Sequence, residues 1–175
     1  MALTVDERNS LLRVLYITIF LTSTGLGTAT FLLPVFAFGL GADYVSLGLM
    51  GAARNLVYTI GTLTVGYLLD RFERIRIYIG FMVISAVVVA LFGAMDSVAN
   101  LIIWNGLAGL SSASFWVTAS TLTADISPPE RLTQSISRYN LSWILGFTVG
   151  PYFGGLISDA FGSRARLNLG TRQTV

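Results

Sequence analysis

No charged side chain interrupts the stretch SVANLIIWNGLAGLSSASFWVTASTLTA, which runs from Ser97 to Ala124. A helix rises about 1.5 Å per residue and the hydrocarbon core of a bilayer is about 30 Å thick, so roughly 20 apolar residues suffice to cross it. Lipid offers no partner to a bare backbone amide, so such a stretch is predicted to be helical. Four further stretches are almost as free of charge, and they run from Val14 to Ala42, Tyr44 to Leu69 (broken once, by Arg54), Ile77 to Met95 and Tyr139 to Ser158.

The composition places the chain in the class of membrane proteins. Hydrophobic residues make up 54% of the 175 residues, charged residues only 11%, and the mean hydropathy is +0.72. A water-soluble domain with this composition would have to expose large apolar patches. We therefore predict an all-α integral membrane protein with five transmembrane helices. The lipid bilayer that surrounds these helices is then one of its partners. The predicted helices span about 14–38, 45–69, 76–95, 98–124 and 136–158.

The absence of two residue types narrows the chemistry. The chain has no Cys and no His, so it has no thiolate or imidazole for nucleophilic catalysis or metal binding. We expect no catalytic residues, no metal site and no cofactor, and we do not expect an enzyme. The formal net charge is only +2, and the arginines lie in small clusters, so we expect no nucleic-acid partner.

The arginines predict the orientation in the membrane. The turns near Asp43 and Asp96 contain no basic residue. Basic residues concentrate on the cytoplasmic side of membrane proteins. We therefore predict a multi-pass cell-membrane protein whose N-terminus, second-to-third loop and fourth-to-fifth loop are cytoplasmic. The arginines of these three segments are Arg8 and Arg13, then Arg71, Arg74 and Arg76, then Arg131 and Arg138.

Two motifs carry a family resemblance. The segment GYLLDRFERIR (Gly66–Arg76) resembles the G-x-x-x-D-R-x-G-R-R/K signature of the major facilitator superfamily, which lies between its second and third helices. The segment GFTVGPYFGG (Gly146–Gly155) is similar to the G-x-x-x-G-P-x-x-G-G element of its antiporter branches. The segment PPER (Pro128–Arg131) is typical of the family's loop between helices 4 and 5. The resemblance covers about residues 11–161.

This resemblance implies the fold and the function. Residues 1–161 would form the first five helices of the family's N-terminal six-helix bundle, and 162–175 would be a polar, unstructured tail or the product of truncation or a frameshift. The protein would be an exporter-like secondary transporter of an unknown small molecule. The family fold has two halves, so the chain alone would be inactive and would need a second half-transporter chain as partner.

The first motif is the candidate cytoplasmic latch, formed by Gly66, Asp70, Arg71, Arg74 and Arg76. Asp70 is predicted to lie at the C-terminal end of a helix, where the helix dipole disfavours an acid without a cationic partner. The resemblance implies that this partner comes from the second half and locks the outward-facing state. Glu73 and Ile75 depart from the family pattern, and the alternative is that these charges only anchor the loop at lipid headgroups.

The second motif has a spacing with a direct physical meaning. Gly146, Gly150 and Gly154 recur every four residues, so they share one helical face and allow close approach of a neighbouring helix. Pro151 removes one backbone hydrogen bond and bends the helix. Together with Gly155 these residues form the antiporter-like motif that the resemblance implies, whereas the alternative is helix packing alone.

Polar residues within the spans are candidates for lining a transport pathway. Arg54 is the only charge well inside a predicted span, and burial of such a charge is costly unless it faces protein or water. Alternatively, its side chain snorkels to the outer headgroups. Asn105 stands where the family's fourth helix often has an Arg, so proton coupling within this half is unsupported. The candidate pathway residues are Arg54, Asn55, Tyr58, Thr24, Thr28 and Asn105.

Three other classes of protein remain open at this point. A half-size subunit could associate with itself to form a pathway, and a membrane module could only bind partners. An intramembrane enzyme is a third alternative, but the lack of His, Cys and buried acids argues against it. A native mass measurement in detergent would separate the dimer from the monomeric module.

Overall fold

The computed structural model describes residues 4–92 and 95–170, and for Val89, Phe92 and residues 160–170 it describes the backbone only. Within these residues the regular secondary structure is helical, and there is no strand. The predicted all-α fold is confirmed. The long helices are α1 (Val5–Gly39), α2 (Tyr44–Arg71), α3 (Arg74–Phe92), α4 (Val98–Ile126) and α5 (Leu132–Gly170), with a short 3-10 turn at Pro129–Arg131.

Several helices are long and apolar enough to cross a bilayer. Among the described residues, length and composition together select three segments, Val5–Gly39, Val98–Ile126 and Pro129–Asp159. The shortest of the five helices, α3, has 19 residues and is therefore about 28 Å long, close to the thickness of the hydrocarbon core. The chain is thus a multi-pass membrane protein.

The first helix begins earlier than the apolar pattern predicts. It starts at Val5 rather than near residue 14 because Thr4 caps it. The Thr4 hydroxyl accepts a hydrogen bond from the Glu7 amide at 3.3 Å, and the Glu7 carboxylate accepts one from the Thr4 amide at 2.8 Å. This reciprocal pair is a capping box, which satisfies two amides that the helix itself leaves without partners.

The last helix extends beyond its predicted end. The sequence predicts a polar tail from residue 162, whereas the structure continues α5 through Gly170. This segment contains two Arg, two Leu and one Ala, which are strong helix formers, and it contains no proline. Residues 162–170 of the predicted tail are therefore helical, and 171–175 lie outside the described residues.

The turn between α1 and α2 is fixed by two local features. Gly41 has a φ of 88°, in the left-handed region that glycine adopts without strain. The Asp43 carboxylate accepts a hydrogen bond from the Ser46 amide at 2.8 Å and caps α2. Hydrogen bonding to Ser46 also lowers the pKa of Asp43, because it favours the charged form.

The helices are arranged around α4, which contacts α1, α2, α3 and α5. The two closest helix pairs are α1 with α5 and α2 with α4. One apolar cluster joins α1, α4 and α5 through Leu15, Ile19, Phe115, Ala119 and Tyr139. A second lies at the opposite end of the bundle and contains Ala37, Ala42, Met50 and Leu101. This packing brings polar and aromatic side chains of α1, α2, α4 and α5 together.

Candidate functional site

The guanidinium of Arg54 lies where three helices meet. Its Nη1 donates to the Thr30 hydroxyl of α1 at 3.5 Å, and its Nη2 donates to the Ser112 hydroxyl of α4 at 3.3 Å. Both distances are at the long end for hydrogen bonds to oxygen. The side chain is half-buried. Arg54 is therefore held between helices by neutral oxygens.

Arg54 has no counter-charge in the described parts of the chain. The ion pairs found there join Arg74 to Asp125 and Arg76 to Glu73, and neither includes Arg54. The backbone carbonyl oxygen of Thr30 is expected to place a partial negative charge near Arg54, because Pro34 has no amide proton to donate to it. A guanidinium carries five N–H donors, so Arg54 retains donors for another acceptor.

An open cavity of about 400 Å³ lies one helical turn from Arg54. Trp116 and Trp143 meet edge to face in its wall, with ring centroids 5.3 Å apart and an interplanar angle of 69°. Trp143 Nε1 donates to the Asn140 amide oxygen at 3.0 Å. The wall is thus mainly aromatic and comes from α2, α4 and α5. The lining residues are Tyr58, Trp116, Tyr139, Asn140, Trp143 and Phe147.

Most of the residues that line this cavity were not predicted from the sequence. Of the six residues only Tyr58 was among the predicted pathway residues. A signal was present on α5, because Tyr139, Trp143 and Phe147 follow one another at intervals of four and so share a helical face. No local pattern connects Trp116 to them, since it comes from another helix and only the packing of α4 on α5 brings it there.

The structure places the other predicted pathway residues at contacts between or within helices. Thr24 and Thr28 donate back to the carbonyls of Phe20 and Thr24, each at 2.9 Å. Asn105 is buried, and its side-chain Nδ2 donates to the Met50 carbonyl of α2 at 2.9 Å. None of these lines the cavity. The exposed Asn55 does not line it either.

The candidate latch motif forms a charged cluster at one end of the bundle. Arg74 makes an ion pair with Asp125 at the end of α4. Arg76 pairs with Glu73 at 2.6 Å, with both side chains exposed. The guanidinium of Arg71 lies 4.6 Å from the ring centre of Tyr67. Arg74 therefore ties α3 to α4, whereas the other two contacts are local.

Asp70 differs from its basic neighbours. Its side chain is exposed, and within the described residues it makes no ion pair. Gly66, one turn earlier, faces open space, since a Cβ there would meet nothing within 4 Å. This edge of α2 is therefore accessible to another helix.

The three spaced glycines of α5 face α1. A Cβ on Gly150 would lie 2.6 Å from the Thr24 carbonyl oxygen and 2.7 Å from the Thr28 amide. A Cβ on Gly146 would overlap the Phe20 carbonyl oxygen. The backbones of α1 and α5 are thus in direct contact along this face. Gly155 lies off it and meets nothing within 4 Å.

The proline of α5 also acts at this contact. Pro151 cannot donate to the Phe147 carbonyl one turn earlier. That carbonyl oxygen points at Gly27 of α1, where a Cβ would lie 2.8 Å away. The Thr28 hydroxyl lies 2.9 Å from the Gly150 carbonyl oxygen as well. Polar groups of α1 and α5 therefore meet next to Pro151.

Comparisons with known proteins agree with this arrangement. A family model described as Major Facilitator Superfamily matches residues 15–166. The chain is 28% identical over 149 residues to an uncharacterized MFS-type transporter, MJ1560, of Methanocaldococcus jannaschii, covering 85% of this chain and 39% of that protein. It is 30% identical over 152 residues to the quinolone resistance protein NorA of Staphylococcus aureus, covering 86% of this chain and 39% of NorA. The chain thus spans about two-fifths of the length of these relatives.

Proposed function

Because the chain belongs to the major facilitator superfamily, whose members are transporters rather than enzymes, we propose that it provides the first five helices of an efflux-type transporter. The solute would be a small molecule that crosses the cell membrane along the face bearing Arg54 and the aromatic cavity. The efflux direction is proposed by analogy with the relative named as a quinolone resistance protein.

One observation carries this proposal. A half-buried guanidinium and an aromatic cavity occur together among helices that are rich in apolar residues. Charges within membrane spans are costly and generally face a water-filled path or a ligand site. Transporters of this type bind solute near the middle of the bilayer, between two halves that move relative to each other. The Arg54 face would be one wall of such a site.

The activity itself requires more than these five helices. Alternating access needs two packed bundles that take turns in sealing either side of the site. We expect vesicles containing only the purified chain to show no saturable transport of fluorescent aromatic solutes. Co-expression with a separate chain that supplies the later helices of NorA is expected to produce efflux. Saturable transport by the chain alone, abolished by Arg54→Gln, would instead support a self-associating half-transporter.

The latch role proposed for Asp70 gives a separate expected result. Asp70→Asn should leave the free energy of unfolding of the chain alone within about 0.5 kcal/mol of the unchanged protein, because an exposed side chain without a partner contributes little. In the complemented transporter the same change should reduce efflux, because the contact with the other half is lost. Unfolding in detergent and efflux in cells measure the two effects. Equal efflux by both proteins would remove Asp70 from the latch.

The orientation is also part of the proposal. The chain has no cysteine, so single cysteines can be introduced at exposed positions without a background signal. We expect Tyr44→Cys and Ala99→Cys to react with an impermeant thiol reagent added outside intact cells, whereas Phe72→Cys and Glu130→Cys should react only after lysis. The reason is the distribution of arginines. Since all four positions are exposed, the reverse pattern would invert the topology.

A further inference from the structure

We infer that the solute bound at this face is an aromatic organic anion, with its ring in the cavity and its anionic group on Arg54. This inference rests on the proposed function of the face as a transport wall. It goes further by assigning a chemical class to the solute.

The ring position follows from the cavity lining. Five of its six residues are aromatic: Tyr58, Trp116, Tyr139, Trp143 and Phe147. Aromatic pairs prefer edge-to-face or offset stacking. Trp116 and Trp143 already meet in this way at 5.3 Å, and the cavity of about 400 Å³ leaves room for a bicyclic ring system beside them.

The anionic group follows from Arg54. An aromatic wall alone would also suit an organic cation, through cation–π attraction. The charge of Arg54, one helical turn from Tyr58 of the cavity wall, favours the anion because it is positive. Arg54 is held by the Thr30 and Ser112 hydroxyls at 3.5 and 3.3 Å, and no carboxylate among the described residues pairs with it. A carboxylate or sulfonate would give the guanidinium the bidentate partner that it lacks here.

The spacing of the two parts fits one small molecule. Arg54 and Tyr58 are four residues apart on α2, and Ser112 and Trp116 are four residues apart on α4. Each interval is about 6 Å along the helix axis. The cationic contact therefore lies one turn from the aromatic contact on both helices. An anion attached by a short linker to a bicyclic ring can reach both at once.

Three dansyl compounds of matched ring and different charge test the inference. Dansylglycine is an anion, dansylamide is neutral, and dansyl ethylenediamine is a cation at pH 7. Tryptophan transfers excitation to dansyl, and two of the three tryptophans of the chain line the cavity. The chain is placed in nanodiscs of zwitterionic lipid, so that the membrane surface does not select by charge. Trp104→Phe removes the tryptophan outside the cavity.

We expect dansylglycine to bind more tightly than dansylamide by about tenfold, as for a hydrogen bond to a charged group, and dansyl ethylenediamine to bind most weakly. Arg54→Gln should abolish the preference for the anion, and Arg54→Lys should keep part of it. Arg131→Gln is the matched control, because it removes an exposed arginine at the 3-10 turn and should leave the preference unchanged. Circular dichroism checks that each variant retains its helices.

The possible outcomes distinguish an error in the charge assigned to the solute from an error in the cavity as its binding site. Equal or tighter binding of the cation, or an anion preference that survives in Arg54→Gln, would overturn the assignment of an anionic solute and leave the cavity as a binding site. Energy transfer to none of the three compounds would overturn the cavity as a binding site, and with it the proposed transport wall.

Discussion

Replacing Gly150 with alanine is expected to lower the free energy of unfolding by about 1–3 kcal/mol, as for overpacking a tight contact. The added Cβ would lie 2.6 Å from the Thr24 carbonyl oxygen, 2.7 Å from the Thr28 amide and 2.8 Å from the Gly27 carbonyl carbon. All three atoms belong to the backbone of α1, so no side chain can rotate to relieve the overlap. The two helices would have to move apart.

The matched control is Gly155→Ala in the same helix. A Cβ there would meet nothing within 4 Å, and alanine has the higher helix propensity by about 1 kcal/mol. This variant should therefore be neutral or slightly more stable. Unfolding of the purified chain in mixed micelles, followed by circular dichroism, measures both. If the two substitutions have the same effect, α1 and α5 are not in backbone contact at Gly150.

Replacing Gly109 with alanine is expected to have a comparable effect on stability, about 1–3 kcal/mol, and to weaken the site as well. The added Cβ would overlap the Arg54 carbonyl oxygen and lie 3.1 Å from the Tyr58 amide. These backbone atoms belong to Arg54 and Tyr58, whose side chains are proposed to bind solute. A shift of α2 that relieves the overlap would move both side chains relative to Ser112 and Trp116.

Gly106→Ala provides the control for this second prediction. It lies on the same helix and faces α2 as well, but a Cβ there would make ordinary contacts of 3.8 Å with Val57 and 3.9 Å with Ala53. We expect Gly109→Ala to weaken dansylglycine binding and Gly106→Ala to preserve it. Energy transfer from tryptophan measures the binding, and circular dichroism measures the stability. Unchanged binding in a destabilised Gly109→Ala protein would show that the site does not depend on the α2–α4 contact.

Much of the secondary structure could be predicted from the sequence, because the membrane restricts the choices. A long apolar stretch in lipid has to satisfy its own amides, so helices follow from the pattern. The first residue of α1 and the last residue of α5 were harder to predict, because both lie in polar segments. The capping box of Thr4 and Glu7 begins α1 in a polar segment, and helix-forming residues extend α5 to Gly170.

The sequence also predicted which face of α5 can pack closely, but it could not identify the partner. Glycines spaced by four residues mark a groove on any helix. On α1, Gly25 and Gly27 look equivalent in the sequence. A Cβ added to Gly27 would lie 3.3 Å from the Gly150 Cα, whereas a Cβ added to Gly25 would meet nothing within 4 Å. The rotation of α1 about its axis decides this difference.

By itself, therefore, the sequence determined the helical membrane fold, its family signatures and a lone arginine within a span, because these follow from local composition and spacing. The tertiary structure alone decided that Arg54 meets Thr30 and Ser112, and that Trp116 of α4 joins Trp143 of α5 at one cavity. Such contacts join residues distant in sequence, and they depend on how closely two helices approach. At the α1–α5 and α2–α4 crossings that approach is set by the glycines that face the partner helix.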